Sequence, residues 1–206
     1  MSGSATATSR PWGAQFVLIG GVIALVLLLA SALGTRFGLW DFRLGLLGAM
    51  AAGALGALLT LWGLIVLAWV FLGRRPTAYG ALLGGLALSS LVFLVLAMQT
   101  VRAFSVPRIH DVTTAPEDPP AYRALVDQRG PDANDLTYDR ATLEPLQRDA
   151  YPFVQPTYLD GPPPAAFERA LAAARAQGWD VVAADPAEGR IEATDTSFWF
   201  GFVDDV

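Results

Sequence analysis

The chain has 206 residues, of which 53% are hydrophobic and 16% are charged, so it is more apolar than an ordinary soluble domain. Residues 1–108 carry seven arginines and one aspartate, a net charge of +6, whereas residues 109–206 carry seven arginines and eighteen acids, a net charge of −11. The absence of cysteine excludes disulfides and thiolate metal sites, and the acidic second half argues against a nucleic-acid partner. We expect two domains in different environments.

Three uncharged apolar runs predict a transmembrane domain over residues 16–104, after an N-terminal tail of residues 1–15. The helices are expected at about 16–34, 44–73 and 78–101, and each is long enough to cross a hydrocarbon core about 30 Å thick. A cleaved signal peptide is the alternative for the first run. Its apolar stretch is longer than a usual signal core, however, and two further spans follow, so we favour three retained helices.

Small residues recur at four-residue spacing, at Gly48, Ala52 and Gly56 in the second span and at Gly80 and Gly84 in the third. Such residues let helix backbones approach closely in lipid. The pattern is typical of packing inside one three-helix bundle and also of a face that forms a homo-oligomer, and we favour the bundle. The spans contain no Asp, Glu, His, Lys or Arg, which argues against an ion pump or a proton relay.

The predicted orientation depends on the loops that contain arginine. "GRRPT" places Arg74 and Arg75 in a very short loop, whereas "TRFGLWDFR" mixes two arginines with Asp41 and interfacial aromatic residues. A plain count of arginines leans slightly the other way, but we give more weight to the undiluted pair, because short basic loops favour the cytoplasm. We expect a cytoplasmic amino terminus and an acidic domain on the opposite side of the membrane.

Residues 105–206 are predicted to form a small acidic α+β domain. Prolines between residues 107 and 120 favour extended structure, and the polar segment 126–142 is predicted to be a surface loop. Apolar residues spaced at i, i+3, i+4 and i+7 predict a helix over about 165–177. Two strands follow, in "WDVVAA" and "RIEAT", separated by the turn "DPAEG".

The apolar segment "FWFGFV" is predicted to be a further strand. Alternation would place Phe198, Phe200 and Phe202 on one face and Trp199, Gly201 and Val203 on the other, so both faces are apolar. We favour a strand buried in the core. The alternative is that Trp199 and Phe200 line a pocket or touch the bilayer surface, because large aromatic residues favour interfaces.

Candidate catalytic groups are few. His110 and Asp111 are neighbours, but adjacent side chains of an extended segment point to opposite sides. A catalytic triad would also need a nucleophile such as Ser197, which nothing in the sequence places nearby. We therefore expect a structural role for His110.

Asp204 and Asp205 are adjacent carboxylates that, with Glu192 and Asp195, offer oxygen ligands to calcium or magnesium. They lack the glycine-containing alternation of acids that marks a calcium-binding loop. We therefore favour a turn or a solvated strand end at this position. The sequence contains no phosphate-binding glycine loop and no zinc-ligand spacing, so no cofactor and no metal are expected.

Four segments beyond the spans stand out by their order and spacing: "IHDVTTAPEDPP" (109–120), "AYPFVQP" (150–156), "ALAAARAQGWDVVAADPAEGRIEAT" (170–194) and "FWFGFVDDV" (198–206). Together they resemble the domain-of-unknown-function family 1499 of bacterial and plastid proteins. That family has no established biochemical activity, so the resemblance implies no catalytic residue. Its members usually continue past the segment that resembles "FGFVDDV" into further strands and a closing helix, so we expect this chain to be truncated at its carboxyl end.

These patterns favour a non-enzymatic protein of the bacterial inner (plasma) membrane whose extramembrane domain binds a protein, a lipid or a small ligand at the cell envelope. The candidate ligand-binding residues are Trp199, Phe200, Asp204, Asp205 and His110. The expected partners are membrane lipids and another envelope protein. The alternative is a membrane-tethered hydrolase that uses a divalent metal together with Asp204, Asp205, Glu192 and His110.

Overall fold

The computed structural model describes residues 12–73, 78–130 and 133–206. The chain divides into two compact units, residues 1–103 and 104–206. The predicted fold class is confirmed, because three long apolar helices are followed by a small α+β domain.

The first unit is made of three helices, α1 (Trp12–Arg36), α2 (Phe42–Phe71) and α3 (Tyr79–Ser105). With 25, 30 and 27 residues, each helix is long and apolar enough to cross a membrane. The chain is therefore a membrane-associated protein. The predicted orientation depends on Arg74 and Arg75, which lie outside the described residues.

Glycines bring the three helices into close contact. A Cβ atom built on Gly85 of α3 would lie 2.5 Å from the backbone nitrogen of Leu18 in α1. A Cβ atom built on Gly56 of α2 would lie 2.9 Å from the carbonyl oxygen of Ser89 in α3. Both distances are shorter than a van der Waals contact, so a side chain at either position would push a neighbouring backbone away.

The residues predicted to pack the helices lie in different surroundings. Gly48 faces α1, and Ala52 is fully buried in the centre of the bundle. Gly80 has open space where its side chain would be, and Gly84 has only a loose neighbour in α1. On α3 the close approach is therefore made at Gly85, one residue beyond the predicted repeat.

Hydroxyl groups link α2 to α3 inside the bundle. Thr60 Oγ1 donates a hydrogen bond to Ser89 Oγ at 3.2 Å and lies 3.3 Å from Ser90 Oγ. Ser89 is fully buried. In lipid, where water is absent, such contacts satisfy polar groups that would otherwise be costly to bury.

The second unit contains two helices and a three-stranded sheet. Its elements are a short 3-10 helix (Val126–Gln128), α4 (Arg140–Ala150), α5 (Pro163–Ala176), β1 (Asp180–Asp185), β2 (Arg190–Thr196) and β3 (Val203–Asp205). The strands are antiparallel in the order β1-β2-β3. α5 packs against β1 and β2 and buries Phe167, Leu171 and Ala174, which contribute to the small apolar core of this unit together with Leu125 and Ala193.

The predicted helix over 165–177 corresponds to α5, and the two predicted strands correspond to β1 and β2. α4 differs from the prediction, because it begins at Arg140, inside the segment that was expected to be a surface loop. Glu144 pairs with Arg140 at 2.7 Å and with Arg148 at 2.8 Å, both at a spacing of four residues. These pairs stabilise a helix with few apolar residues.

The strand predicted for "FWFGFV" is wrong. β2 ends at Thr196, the chain turns through residues 197–202, and β3 begins only at Val203. Gly201 has a φ of +70°, in the left-handed region that glycine adopts without strain. The aromatic residues therefore lie on a hairpin turn and not in the core.

Candidate functional site

The turn between β2 and β3 is closed by its own hydrogen bonds. The backbone N–H of Ser197 donates to the carbonyl oxygen of Phe202 at 2.8 Å. The backbone N–H of Phe202 donates to Ser197 Oγ at 2.9 Å, and that of Gly201 donates to the Ser197 carbonyl oxygen at 3.1 Å. These three hydrogen bonds give the turn a defined structure.

Four aromatic side chains project from this turn, and we call Phe198, Trp199, Phe200 and Phe202 the aromatic tip. The rings of Phe198 and Trp199 meet edge to face, with centroids 5.2 Å apart. The rings of Phe200 and Phe202 are stacked, with centroids 5.6 Å apart. Both arrangements are favourable for aromatic pairs, so the rings hold one another in place.

The aromatic tip faces solvent. Phe198 is 69% exposed, Trp199 is 54% exposed and Phe202 is 41% exposed, whereas Phe200 is half-buried. No charged residue lies between Ser197 and Phe202. Exposed neighbouring rings are a typical feature of interaction surfaces, because burying them against a partner removes apolar area from water.

The structure thus places Trp199 and Phe200, the two aromatic candidates from the sequence, on one turn. Sequence reasoning assigned Phe198 and Phe202 to a buried strand face and missed them as candidates. The missed signal was the combination of Ser197 before the aromatic residues and Gly201 among them, which together close the turn.

Asp204 and Asp205 lie in β3, next to the tip. Asp204 is exposed and stands directly opposite Asp195 of β2 in the strand register. Asp205 instead forms an ion pair with Arg129, and both side chains are largely buried. The two adjacent aspartates therefore have different surroundings, and the carboxylate of Asp205 is already paired with Arg129.

Tyr122 adds a second contact to the same strand. Its hydroxyl group donates to the carbonyl oxygen of Asp205 at 3.0 Å. Burial raises the pKa of Tyr122 above its ordinary value, and the negative charges of Asp111 and Asp205 raise it further. The phenol therefore stays protonated and remains a donor to β3.

Glu192 is 2% exposed and serves as an acceptor for backbone groups. Its Oε2 atom accepts hydrogen bonds from the N–H groups of Arg123 and Leu125, both at 3.0 Å, and its Oε1 atom lies 3.4 Å from Arg190 Nε. Burial raises the pKa of Glu192, but the backbone N–H donors and Arg190 together hold it below the ordinary value. This carboxylate is an anchor for the segment that precedes the 3-10 helix.

His110 and Asp111 lie at the beginning of the second unit. His110 is exposed and Asp111 is half-buried. Burial raises the pKa of Asp111 above its ordinary value, and the positive charge of Arg129 partly offsets this rise. Within the parts of the chain that the structure describes, no group of three or more His, Cys, Asp or Glu residues is arranged to hold a metal ion.

A shallow groove of about 470 Å³ runs beside α4, lined among others by Pro116, Glu117, Gln147, Arg148 and Tyr151. Two of its polar side chains are engaged within the protein. Gln147 donates to the Thr113 carbonyl oxygen at 2.6 Å and accepts from the Thr113 N–H at 3.0 Å, and Arg148 pairs with Glu117 at 2.6 Å. The side chains of Gln147 and Arg148 are therefore less available to bind a ligand in this groove.

A search of curated proteins and a search of solved structures each found no match to this chain. Residues 111–206 match a family model described as a protein of unknown function, DUF1499. The resemblance seen in the sequence is thereby confirmed over these residues.

Proposed function

We propose that this membrane protein is a non-enzymatic binding protein whose DUF1499 domain engages a partner through the aromatic tip. The partner belongs to the class predicted from the sequence, a protein, a lipid or a small ligand at the cell envelope. The observation that carries the proposal is the exposure of Phe198, Trp199 and Phe202 on one hydrogen-bonded turn. Aromatic rings that are held in place before binding lose little conformational entropy when a partner covers them.

The surroundings of the acidic residues favour binding over hydrolysis. The alternative hydrolase would need Asp204, Asp205, Glu192 and His110 to converge. Asp205 is paired with Arg129, and an oxygen of Glu192 accepts two backbone hydrogen bonds. A metal ion or a water molecule would have to displace these contacts before either carboxylate could act.

The proposal includes the orientation expected from the arginine loops, with the amino terminus in the cytoplasm and the DUF1499 domain outside it. Fusions of alkaline phosphatase and of a fluorescent protein that folds only in the cytoplasm, placed after Val206, test this part. Phosphatase activity without fluorescence is the expected result. Fluorescence without phosphatase activity would reverse the orientation and move the partner to the cytosol.

Site-specific photocrosslinking tests the binding surface itself. A benzoylphenylalanine at position 199 of the full chain should yield a covalent adduct when membranes are illuminated. The matched control carries the same probe at position 187, in the exposed turn between β1 and β2 at the other end of β2. Adducts at 199 and not at 187 support the proposal, and equal yields at both positions would contradict it.

A further inference from the structure

Part of the backbone of the turn that carries the aromatic tip is hydrogen-bonded within the turn itself. Its N–H groups at Ser197, Gly201 and Phe202 have acceptors within the turn at 2.8–3.1 Å. A backbone whose hydrogen bonds are internal enters an apolar region without leaving those groups unsatisfied, which is the main cost of placing irregular backbone there. The Ser197 hydroxyl oxygen is likewise occupied as an acceptor.

The side chains of the tip match the boundary between lipid head groups and acyl chains. Trp and the other aromatic residues are enriched at this boundary, because a large ring there is partly apolar and partly hydrated. Phe198 and Trp199 are the most exposed of the four tip residues. The uncharged sequence from Ser197 to Phe202 places no ion at the depth that the rings would reach.

The bilayer is also always close to this domain. α3 ends at Ser105 and the DUF1499 match begins at residue 111, so five residues connect them. A connection of that length spans at most about 18 Å when fully extended. The membrane that contains α3 is therefore the lipid surface nearest to the domain.

Charge indicates which lipids fit. The half of the chain that contains the tip has a net charge of −11, and Asp195 and Asp204 flank the turn on the two strands. Anionic head groups would repel these carboxylates, and the repulsion would weaken as salt is added. Electroneutral, zwitterionic head groups accept the same rings without this repulsion.

We propose that the aromatic tip inserts into the zwitterionic lipid surface of the membrane in which the chain is anchored. Phe198, Trp199 and Phe202 lie at the acyl boundary, and Asp195 and Asp204 stay in the aqueous head-group layer and limit the depth. The inference rests on the proposed function, since it names the partner of the same surface.

A spin label tests the insertion in the full chain, which contains no cysteine of its own. Phe198→Cys carries a nitroxide on the tip and keeps Trp199 and Phe202. Ala187→Cys carries the control label on the opposite turn. In nanodiscs of phosphatidylcholine, the nitroxide at 198 should be relaxed by oxygen more than by a water-soluble nickel chelate, and the nitroxide at 187 should show the reverse.

Two further variants make the result specific. Adding Trp199→Ser and Phe202→Ser to Phe198→Cys should lower the ratio of inserted to exposed label by about tenfold or more, because each ring contributes the burial of a large apolar side chain. Trp199→Cys, labelled in the same way, should behave as Phe198→Cys does. Replacing part of the lipid by phosphatidylglycerol should decrease insertion at low salt.

The outcomes separate this inference from the proposed function. A nitroxide at 198 that is as accessible to the nickel chelate as the one at 187 would overturn insertion. If photocrosslinking at 199 still gave a specific protein adduct, the tip would bind a protein and the proposed function would stand. An aqueous label together with no specific adduct would overturn both.

Discussion

Arg129 and Asp205 form an ion pair that joins the segment after the 3-10 helix to the end of β3. Their side chains are only 15% and 18% exposed, so the pair is largely shielded from water and salt. The two residues are 76 positions apart in the chain. The pair therefore fixes the strand that leads away from the aromatic tip.

The domain should depend on this pair. Asp205→Asn is expected to lower the free energy of unfolding by about 1–3 kcal/mol, because Arg129 keeps its charge in a partly buried place and loses its partner. Pulse proteolysis of the full chain across a urea series measures the folded fraction of the extramembrane domain. Asp204→Asn is the matched control, since Asp204 is its exposed neighbour. Equal losses in both variants would contradict the assigned role of Arg129.

Glu192 should make the domain sensitive to acid. Its pKa lies below the ordinary value of 4.5 in the folded state, so its contribution to stability is complete above that value. The contribution is lost as the pH falls through the lower pKa of the folded state. Glu192→Gln should therefore reduce stability at neutral pH. As the pH is lowered, the urea midpoint of this variant should fall less than that of the wild-type chain.

The control for this effect is Glu168→Gln on the exposed side of α5. Its urea midpoint should follow the same pH profile as that of the wild-type chain. If Glu192→Gln kept the full acid-side decline, another carboxylate would be responsible for it.

Gly85→Ala should destabilise the helix bundle, whereas Gly80→Ala should not. Gly85→Ala places a methyl group 2.5 Å from the Leu18 nitrogen, so α3 must move away from α1. Gly80→Ala meets open space and, because Gly80 lies in the first turn of α3, gains at most about 1 kcal/mol of intrinsic helix propensity. Unfolding in mixed micelles of increasing dodecyl sulfate content should show a lower midpoint for Gly85→Ala and an unchanged or higher one for Gly80→Ala. The opposite order would show that the helices do not meet at Gly85.

The transmembrane part of the fold could be predicted closely because its signal is local. An apolar run of sufficient length forms a helix in lipid whatever its neighbours are, since every backbone group must be bonded internally. The same rule does not identify the contact face of a helix. The spacing of Gly80 and Gly84 is as regular as that of Gly48 and Gly56, and only the packed structure shows that Gly85 is the closer contact.

The extramembrane site could be predicted only in part. Trp199 and Phe200 were assigned mainly to a buried strand, with a pocket or the bilayer surface as the alternative, because the alternation of apolar residues cannot distinguish a buried strand from an exposed turn. The positive φ of Gly201 is a feature of the turn that the alternation of apolar residues does not reveal. The pairing of Arg129 with Asp205 has no local signal, because long-range ion pairs follow from the folded topology and not from spacing.

The most direct test of the binding surface is the reactivity of a single thiol on the tip. Phe198→Cys and Ala187→Cys, each in the otherwise cysteine-free chain, would be reacted with a membrane-impermeant maleimide in open membrane fragments and again after solubilisation in detergent. If a partner covers the tip, the thiol at 198 reacts slowly in membranes and quickly once the partner is removed, whereas the thiol at 187 reacts at the same rate in both. Equal rates for the two thiols in membranes would contradict a covered tip, and with it the proposed binding surface.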